Sequence, residues 1–216
     1  MAQNLWARPE LAKRLRLTLV VSQGEAAPRS VFELAEAAFA GGVGALQLRE
    51  KSLSGREYYE RAKRLAQFCK KHGKIFIVND RLDLALASGA HGVHLGQRDL
   101  PAQAARRLVG REFLLGLSVG SLSQAQAAQA AGADYLGVGA IFLTSSKVEA
   151  KEVSLAEIKA INQVGLVSVA IGGIKPENAK SVWAMGFDGL AVISALTQSA
   201  DPAETARALL VGAPED

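Results

Sequence analysis

The chain has little cysteine and few aromatic side chains. It contains one cysteine in 216 residues, and aromatic residues make up 6% of the sequence. A single Cys69 excludes a disulfide bond within the chain, so the sequence does not fit a secreted disulfide scaffold. We expect the thiol to be a packed apolar group rather than a reactive one.

Long apolar runs are also missing. No stretch approaches the roughly 20 apolar residues that cross a bilayer, and Trp6–Arg16 is too charged for the apolar region of a signal peptide. We therefore expect a cytoplasmic protein with no membrane partner. No Gly/Ser/Pro-rich linker divides the sequence, so we predict one domain over residues 1–216, with residues 1–16 as a helical lead-in.

The net charge of +4 raises the question of a nucleic-acid partner. The densest basic stretch runs from Arg61 to Lys74, on and just after a segment with helical spacing. Its charges are not interleaved with a pattern of aromatic side chains for stacking on bases, so a solvated helix face is the better interpretation. We expect no nucleic-acid partner, and a homo-oligomer stays possible.

What the sequence does contain is eight short runs rich in apolar and β-branched residues. The runs are Leu17–Ser22, Ala45–Glu50, Lys74–Asp80, Gly92–Gly96, Leu114–Val119, Tyr135–Ile141, Ser168–Gly173 and Gly189–Ser194. Segments with helical spacing lie between them, including Ser30–Ala40, Arg56–Lys71, Ser121–Ala131, Ser154–Asn162, Pro176–Met185 and Pro202–Leu210. This alternation indicates parallel strands, because parallel neighbours need a crossover connection. Eight units predict an α/β fold, a single-domain (β/α)8 TIM barrel, although an open doubly wound sheet fits the alternation almost as well.

The loops after the last two runs suggest a phosphate site. Barrels of this kind bind ligands at the loops that follow the strands, and phosphate often lies after strands 7 and 8. Here the seventh run ends in Gly172-Gly173, with Pro176 placed to open a helix, and the eighth ends in Ile193-Ser194. Glycine lets backbone N–H groups approach an anion. Tight turns without a ligand are the alternative.

A second anion site is predicted after the second run. Arg49 and Lys51 alternate there, and Gln47 is in phase with both because side chains of a strand repeat every two residues. One guanidinium and one ammonium suit a polyphosphate. The alternative is a salt-bridged strand end with Glu50 as the partner of the cations.

Two aspartates predict a magnesium site nearby. Asp80 closes the third run and Asp99 follows the fourth. Carboxylates at the ends of neighbouring strands can converge, and two of them leave most of an octahedron open for waters and phosphate oxygens, as Mg²⁺ prefers. Softer metals are not expected, because His94 lacks a second histidine or thiol at ligand spacing and is better explained as an interior histidine. Two isolated helix-capping aspartates are the alternative.

Three motifs together resemble one enzyme family. They are Gln-Leu-Arg-Glu-Lys at 47–51, Val-Asn-Asp-Arg at 78–81 and Gly-Val-His-Leu-Gly-Gln-x-Asp-Leu-Pro at 92–101. From about Leu17 to Pro202 the chain resembles the thiamine phosphate synthase family, transferases that join hydroxymethylpyrimidine diphosphate to a thiazole phosphate. The resemblance implies that diphosphate leaves with Mg²⁺ assistance, and that the thiazole nitrogen, which carries no proton, then attacks the methylene carbon.

The resemblance also implies roles for individual residues. The pyrimidine diphosphate would be bound by Gln47, Leu48, Arg49, Glu50, Lys51, Asn79, Ser118 and Lys147, of which Arg49, Lys51, Ser118 and Lys147 would be catalytic. The thiazole phosphate would be bound by Thr144, Ser145, Ser146, Gly173, Ile193 and Ser194. Asp80 and Asp99 would hold Mg²⁺.

The chain departs from the family pattern at three places. Ser118-Val119-Gly120 stands where Ser-Ala-His is usual, Ala140 and Leu143 replace two prolines, and Ser146 replaces a threonine. We interpret these changes as drift in an active enzyme, because every charged contact that the resemblance implies is retained. A thiazole tautomerase paralogue and a non-catalytic binder of phosphate ligands are the alternatives.

Overall fold

The computed structural model of the chain describes residues 6–143 and 152–214. In this part of the chain eight strands pair in parallel, each with the next, and β8 pairs with β1 to close a barrel. The strands are β1 Leu17–Val21, β2 Ala45–Leu48, β3 Ile75–Asn79, β4 Gly92–Leu95, β5 Leu114–Val119, β6 Tyr135–Val138, β7 Val167–Ile171 and β8 Gly189–Val192. The predicted (β/α)8 barrel is confirmed, and the open sheet is excluded.

The described residues form eleven helices, most of which lie outside the barrel. They are α1 Arg8–Leu15, α2 Gln23–Ala26, α3 Val31–Ala40, α4 Gly55–Lys71, α5 Leu82–Ser88, α6 Ala102–Val109, α7 Leu122–Ala130, α8 Leu155–Asn162, α9 Pro176–Trp183, α10 Ser194–Thr197 and α11 Pro202–Leu209. The six helices predicted from spacing are confirmed to within two residues at each end. The helix that Pro176 was expected to open begins at that proline.

Alternating residues of each strand face different cores. Leu19, Leu46 and Phe76 belong to a large cluster between the strands and the outer helices. Val20, Ile75 and Ile77 belong to a smaller cluster inside the barrel, where Leu11 and Leu15 of α1 join them. The lead-in helix α1 thus packs against the interior cluster. Burial on both faces explains why the strands are nearly all apolar.

The predicted strands were too long at their carboxyl ends, except β5, whose predicted bounds are confirmed. The second run was predicted to reach Glu50, but β2 ends at Leu48, and the eighth was predicted to include Ser194, which begins α10. The backbone N–H of Arg49 still donates to the Val21 carbonyl, 2.9 Å away, so the ladder continues by one bond before the chain turns. Polar residues at these ends therefore lie in loops at the barrel rim.

Glycines lie at or just after the ends of three helices that lead into strands. Gly89, Gly132 and Gly186 have φ values of 73°, 80° and 86°, in the left-handed region that glycine adopts without a steric penalty. These three glycines therefore lie in the loops that connect a helix to the following strand.

Helix α4 explains two further features of the sequence. Cys69 of α4 is fully buried, and burial raises the pKa of its thiol to about 12, so it packs as an apolar residue. The basic stretch lies on and after the same helix, where Arg64 and Lys74 lie over the rings of Phe32 and Phe39. Across residues 6–143 and 152–214, no helix has the length and apolar character needed to span a membrane.

Candidate active site

The carboxyl ends of all eight strands open at one rim of the barrel, because every strand pair is parallel. In a closed ring of eight strands, β3 and β7 lie four strands apart and therefore face each other across the rim. The rim thus separates the residues after β2, β3 and β4 from those after β7 and β8. The two predicted anion sites fall on these two sides.

At the end of β2, successive residues point in different directions. Leu48 is fully buried in the outer cluster, so its backbone alone can face a ligand at the rim. Gln47 is 7% exposed and has the opposite orientation, toward the barrel interior. Arg49 and Lys51 line a depression together with Ser22 and Glu25. Two cations at one strand end remain available for an anion.

Glu50 does not pair with Arg49, which corrects the salt-bridged alternative. Its carboxylate forms an ion pair with Arg61 of α4 and also accepts a 3.0 Å hydrogen bond from the backbone N–H of Gln23. The Glu50 side chain is 5% exposed. Within the residues that the structure describes, the Arg49 side chain forms no hydrogen bond or ion pair. Its guanidinium is therefore not neutralised by the neighbouring carboxylate.

Asp80 and Asp99 lie together beside Arg49. The two carboxyl groups are close enough for Asp99 to raise the pKa of Asp80, and Arg49 is near enough to act on the Asp80 charge in the opposite direction. Asp80 has a φ of 63°, a left-handed conformation that aspartate tolerates better than most residues, and its N–H donates to the His94 carbonyl, 2.9 Å away. An Asp99 carboxylate oxygen accepts a 2.6 Å bond from the Gly96 N–H. The Asp80 backbone and the Asp99 side chain are thus both held at the end of β4.

The closeness of the two carboxyl groups has an electrostatic consequence. Partial burial, the hydrogen bond to Asp99 and the charge of Asp99 raise the pKa of Asp80 to about 6, while Arg49 and Asn79 act in the opposite direction. Two carboxylates in contact repel each other when both are ionised, and a divalent cation between them removes that repulsion. The donor set of two carboxylates fits Mg²⁺, and Asp80 and Asp99 are the residues that would hold it.

Neither aspartate caps a helix, so the helix-capping alternative is wrong. The N-caps of α5 and α6 are Arg81 and Pro101, and neither makes a side-chain capping bond. Among the described residues there is no cluster of three or more histidine, cysteine or acidic side chains that could hold a metal. A cation held by only two carboxylates would have other coordination positions for waters and phosphate oxygens, as Mg²⁺ with a phosphate substrate requires.

A polar cluster lies inside the barrel below the aspartates. Asn79 of β3 pairs in register with His94 of β4. His94 is 8% exposed, and its Nδ1 and Nε2 lie 2.9 Å from the Tyr135 hydroxyl and the Ser118 hydroxyl, respectively. The prediction that His94 is a satisfied interior histidine is confirmed. It connects Ser118, one of the proposed substrate contacts, to the barrel core.

On the opposite side, Gly172 and Gly173 follow β7 with φ values of 110° and 65°. A Cβ at position 173 would lie 2.7 Å from the Phe142 Cβ, so this glycine is required by both its backbone conformation and its packing. The Gly173 carbonyl accepts a 3.0 Å bond from the Asn178 side chain. A tight turn without a ligand would therefore explain the two glycines. It would not explain a hydroxyl group that lies at the end of the neighbouring strand.

That hydroxyl belongs to Ser194, an exposed residue at the start of α10. Ile193 precedes it, and β7 and β8 are neighbours, with Ile171 opposite Ala191. The structure therefore brings Gly173, Ile193 and Ser194 to adjacent strand ends. The four remaining candidates, Thr144, Ser145, Ser146 and Lys147, lie outside the described residues.

One family departure has a visible structural context. The backbone N–H of Leu143 donates to a Glu152 carboxylate oxygen 3.1 Å away. Proline at this position, as in the family pattern, would remove that donor. At Gly120 an added Cβ would meet nothing closer than 3.8 Å, so crowding does not explain the missing histidine. Nothing else in the structure accounts for that change.

Tyr58 is a site residue that the sequence did not reveal. It is 3% exposed on α4, and its hydroxyl lies 2.8 Å from the Leu48 carbonyl and 3.2 Å from the Asn79 carbonyl. These carbonyls directly precede Arg49 and Asp80. The hydroxyl therefore links the end of the proposed diphosphate-binding strand to the proposed metal-binding strand. A capping box, Ser54 with Glu57, begins the helix that carries it.

A closed parallel barrel with paired carboxylates and cations at one side of its rim, and a glycine turn with a hydroxyl at the other, defines a (β/α)8 protein suited to ligands with two anionic groups. Residues 17–196 match the family described as thiamine monophosphate synthase. The chain belongs to this family.

Individual relatives agree with this assignment. The chain is 47% identical to a thiamine-phosphate synthase of Moorella thermoacetica over 195 residues, which cover 89% of this chain and 93% of that protein. It is 44% identical to a thiamine-phosphate synthase of Coprothermobacter proteolyticus, over 94% of this chain and 96% of the relative. A solved thiamine phosphate pyrophosphorylase from Pyrococcus furiosus superposes with a TM-score of 0.83 at 37% identity, covering 92% of this chain and 95% of the other.

Proposed function

We propose that the chain is a thiamine-phosphate synthase, a transferase that joins hydroxymethylpyrimidine diphosphate to a thiazole phosphate and releases diphosphate. The observation that carries the proposal is the closeness of the Asp80 and Asp99 carboxyl groups, with Arg49 near enough to act on the Asp80 charge. Two carboxylates and a cation at one point suit a metal diphosphate better than they suit a single phosphate group. Membership of the family supports the same activity.

In the reaction that we propose, the bond between the pyrimidine methylene carbon and the diphosphate oxygen breaks, and the diphosphate leaves with the electron pair. The thiazole nitrogen then uses its lone pair to form the new carbon–nitrogen bond. No proton is transferred. A bound Mg²⁺ would supply positive charge that offsets the negative charge of the diphosphate.

The protein's own groups would act by binding and orientation. Arg49, Lys51 and Lys147 would bind the diphosphate, and Asn79 and Ser118 would orient the same substrate from the barrel interior. Gly173, Ile193 and Ser194, with Thr144, Ser145 and Ser146, would hold the thiazole phosphate across the rim. The carboxylates of Asp80 and Asp99 would hold the metal, and Glu50 would keep Arg61 and the β2 end in place.

The function is tested by incubating the purified protein with both substrates and Mg²⁺ and separating the products by chromatography. Synthase activity predicts equal amounts of thiamine phosphate and diphosphate, and neither product when one substrate is left out. Exchange of a thiazole proton with deuterium in the absence of the pyrimidine substrate, without thiamine phosphate formation, would identify a tautomerase instead. Binding of both substrates without turnover would identify a non-catalytic binder.

A further inference from the structure

Three polar side chains form a hydrogen-bonded line from the barrel core to the rim. The Tyr135 hydroxyl lies 2.9 Å from Nδ1 of His94, and Nε2 of His94 lies 2.9 Å from the Ser118 hydroxyl. Tyr135 and His94 are 3% and 8% exposed, whereas Ser118 is partly exposed at the end of β5. The line therefore begins in the closed interior and ends beside the proposed substrate.

Two glycines make room for this line. The register places Gly116 between His94 of β4 and Tyr135 of β6, and places Gly137 opposite Ser118. A Cβ at Gly116 would lie 2.1 Å from the Tyr135 ring, and a Cβ at Gly137 would lie 2.8 Å from the His94 ring. A side chain at either position would displace an aromatic ring. The two inward-facing glycines are thus explained by the space that the polar line occupies.

The direction of the hydrogen bonds follows from Tyr135. In the part of the chain that the structure describes, the Tyr135 hydroxyl has no hydrogen-bond partner except His94. A buried hydroxyl that only accepts leaves its own hydrogen unbonded, which is costly, so Tyr135 donates to Nδ1 of His94. The proton of the neutral imidazole then resides on Nε2, which donates to the Ser118 oxygen.

We propose that Tyr135 and His94 are positioning residues that hold the Ser118 hydroxyl as a hydrogen-bond donor directed at the substrate. Because the Ser118 oxygen accepts from Nε2, its own hydrogen is left for an acceptor atom at the rim. The Ser118 backbone is held as well, since the Gln97 side-chain amide lies 2.6 Å from its carbonyl. The orientation of the Ser118 hydroxyl follows from these contacts alone. That the group it donates to belongs to the pyrimidine diphosphate rests on the proposed function.

The first test requires no turnover. In protein labelled with ¹⁵N-histidine, long-range ¹H–¹⁵N correlations distinguish the two neutral tautomers, and a His94→Gln variant assigns the His94 signals among those of the three histidines. We expect the tautomer protonated at Nε2 in the wild type and loss of that single form in Tyr135→Phe. A wild-type His94 protonated at Nδ1, or an unchanged tautomer in Tyr135→Phe, would overturn the proposal whatever the enzyme's activity.

The second test measures coupling between the ends of the line. Tyr135→Phe keeps the ring over Gly116, so a thermal melt should show a folded protein, and kcat/KM for the pyrimidine diphosphate should fall about threefold to tenfold, the worth of one hydrogen bond. In a Ser118→Ala background the same change should have no further effect, because nothing is left to orient. If Tyr135→Phe lowered kcat/KM by the same factor in the wild-type and Ser118→Ala backgrounds, the proposal would be contradicted.

A matched control is available in the same barrel. Thr18 has a buried hydroxyl without a hydrogen-bond partner among the described residues, so Thr18→Val removes an interior hydroxyl outside the line. We expect it to leave both the His94 tautomer and kcat/KM unchanged. If Thr18→Val lowered kcat/KM as much as Tyr135→Phe, the loss would reflect general damage to the core. The hydrogen-bonded line would then be rejected as the cause of the loss.

Discussion

The carboxylate of Glu50 is ion-paired with the guanidinium of Arg61, and not with that of its sequence neighbour Arg49. The pair joins the loop after β2 to the middle of α4, one helical turn from Tyr58, whose hydroxyl bonds the carbonyl of Leu48. Helix α4 therefore holds the β2 end at two points. A consequence is that Arg49 keeps its charge available at the rim, close to Asp80.

This arrangement predicts a stability effect of Arg61→Met. The change leaves a nearly buried Glu50 carboxylate without its cation, and we expect the free energy of unfolding to fall by about 2 kcal/mol. Chemical denaturation measures it. Arg207→Met is the matched control, because the Arg207–Glu204 pair is more than half exposed on both sides and should contribute less than about 0.5 kcal/mol. Equal losses in the two variants would mean that Glu50 does not depend on Arg61.

Arg49→Ala and Lys51→Ala should weaken binding of the diphosphate substrate. Each removes a charge-assisted contact worth about 1.5–3 kcal/mol, so KM for the pyrimidine diphosphate should rise roughly 10- to 150-fold. The KM for the thiazole phosphate should change little, since its proposed site lies across the rim. Steady-state kinetics with each substrate varied in turn tests this, with Lys63→Ala on the outer helix as control. Parallel increases in both KM values would contradict the two-sided arrangement.

Ser194→Ala tests the other side of the rim. Loss of one neutral hydrogen bond, worth about 1 kcal/mol, should raise KM for the thiazole phosphate about fivefold and leave the diphosphate substrate unaffected. Ser181→Ala, which removes a hydroxyl bonded to the Asn178 carbonyl of α9, is the control. Ser194→Ala is a better test of this site than Gly173→Val, because valine at a φ of 65° and against Phe142 would disturb the fold as well as the site. An unchanged thiazole KM would place the second phosphate elsewhere.

Lys147→Ala should lower kcat more than it raises KM. In the proposed function the ammonium would bind the diphosphate, and a charge that stabilises the departing group acts mainly in the transition state. We expect kcat to fall about a hundredfold. Rapid-quench measurement of diphosphate release separates this step from product release. Lys159→Ala, an exposed lysine of α8, should keep full activity, and a fully active Lys147→Ala would exclude a catalytic role for this residue.

Much of the architecture could be predicted from the sequence, because parallel strands buried on both faces produce apolar runs that alternate with helices. The strand ends could not. The second run was predicted to include Arg49 and Glu50, whereas β2 ends at Leu48, and only one further backbone bond, from the N–H of Arg49, joins the neighbouring strand before the chain turns. The short helices α2 and α10 were missed, since four residues are too few to show helical periodicity.

Part of the site was equally inaccessible to sequence reasoning. Asp80, Asp99 and Arg49 could be predicted because they follow strands, and a parallel barrel brings strand ends together. Tyr58 and Arg61 could not, since they lie on a helix whose other polar residues face solvent. Tyr135 is 41 residues from His94, and its position at the start of an apolar strand gives no sign of a polar role. Contacts of this kind depend on which side chains the closed barrel places across from one another.

The central claim is tested most directly by the Mg²⁺ dependence of thiamine phosphate formation in the wild type, Asp80→Ala and Asp99→Ala. Asp83→Ala serves as control, because Asp83 lies three residues from Asp80 but is exposed and paired with Arg81. We expect Asp80→Ala and Asp99→Ala each to lose more than roughly a hundredfold in kcat at limiting Mg²⁺, with partial recovery as Mg²⁺ is raised, and Asp83→Ala to match the wild type. Near-normal kcat at limiting Mg²⁺ in either of the first two variants would contradict a shared metal site and, with it, the proposed handling of the diphosphate.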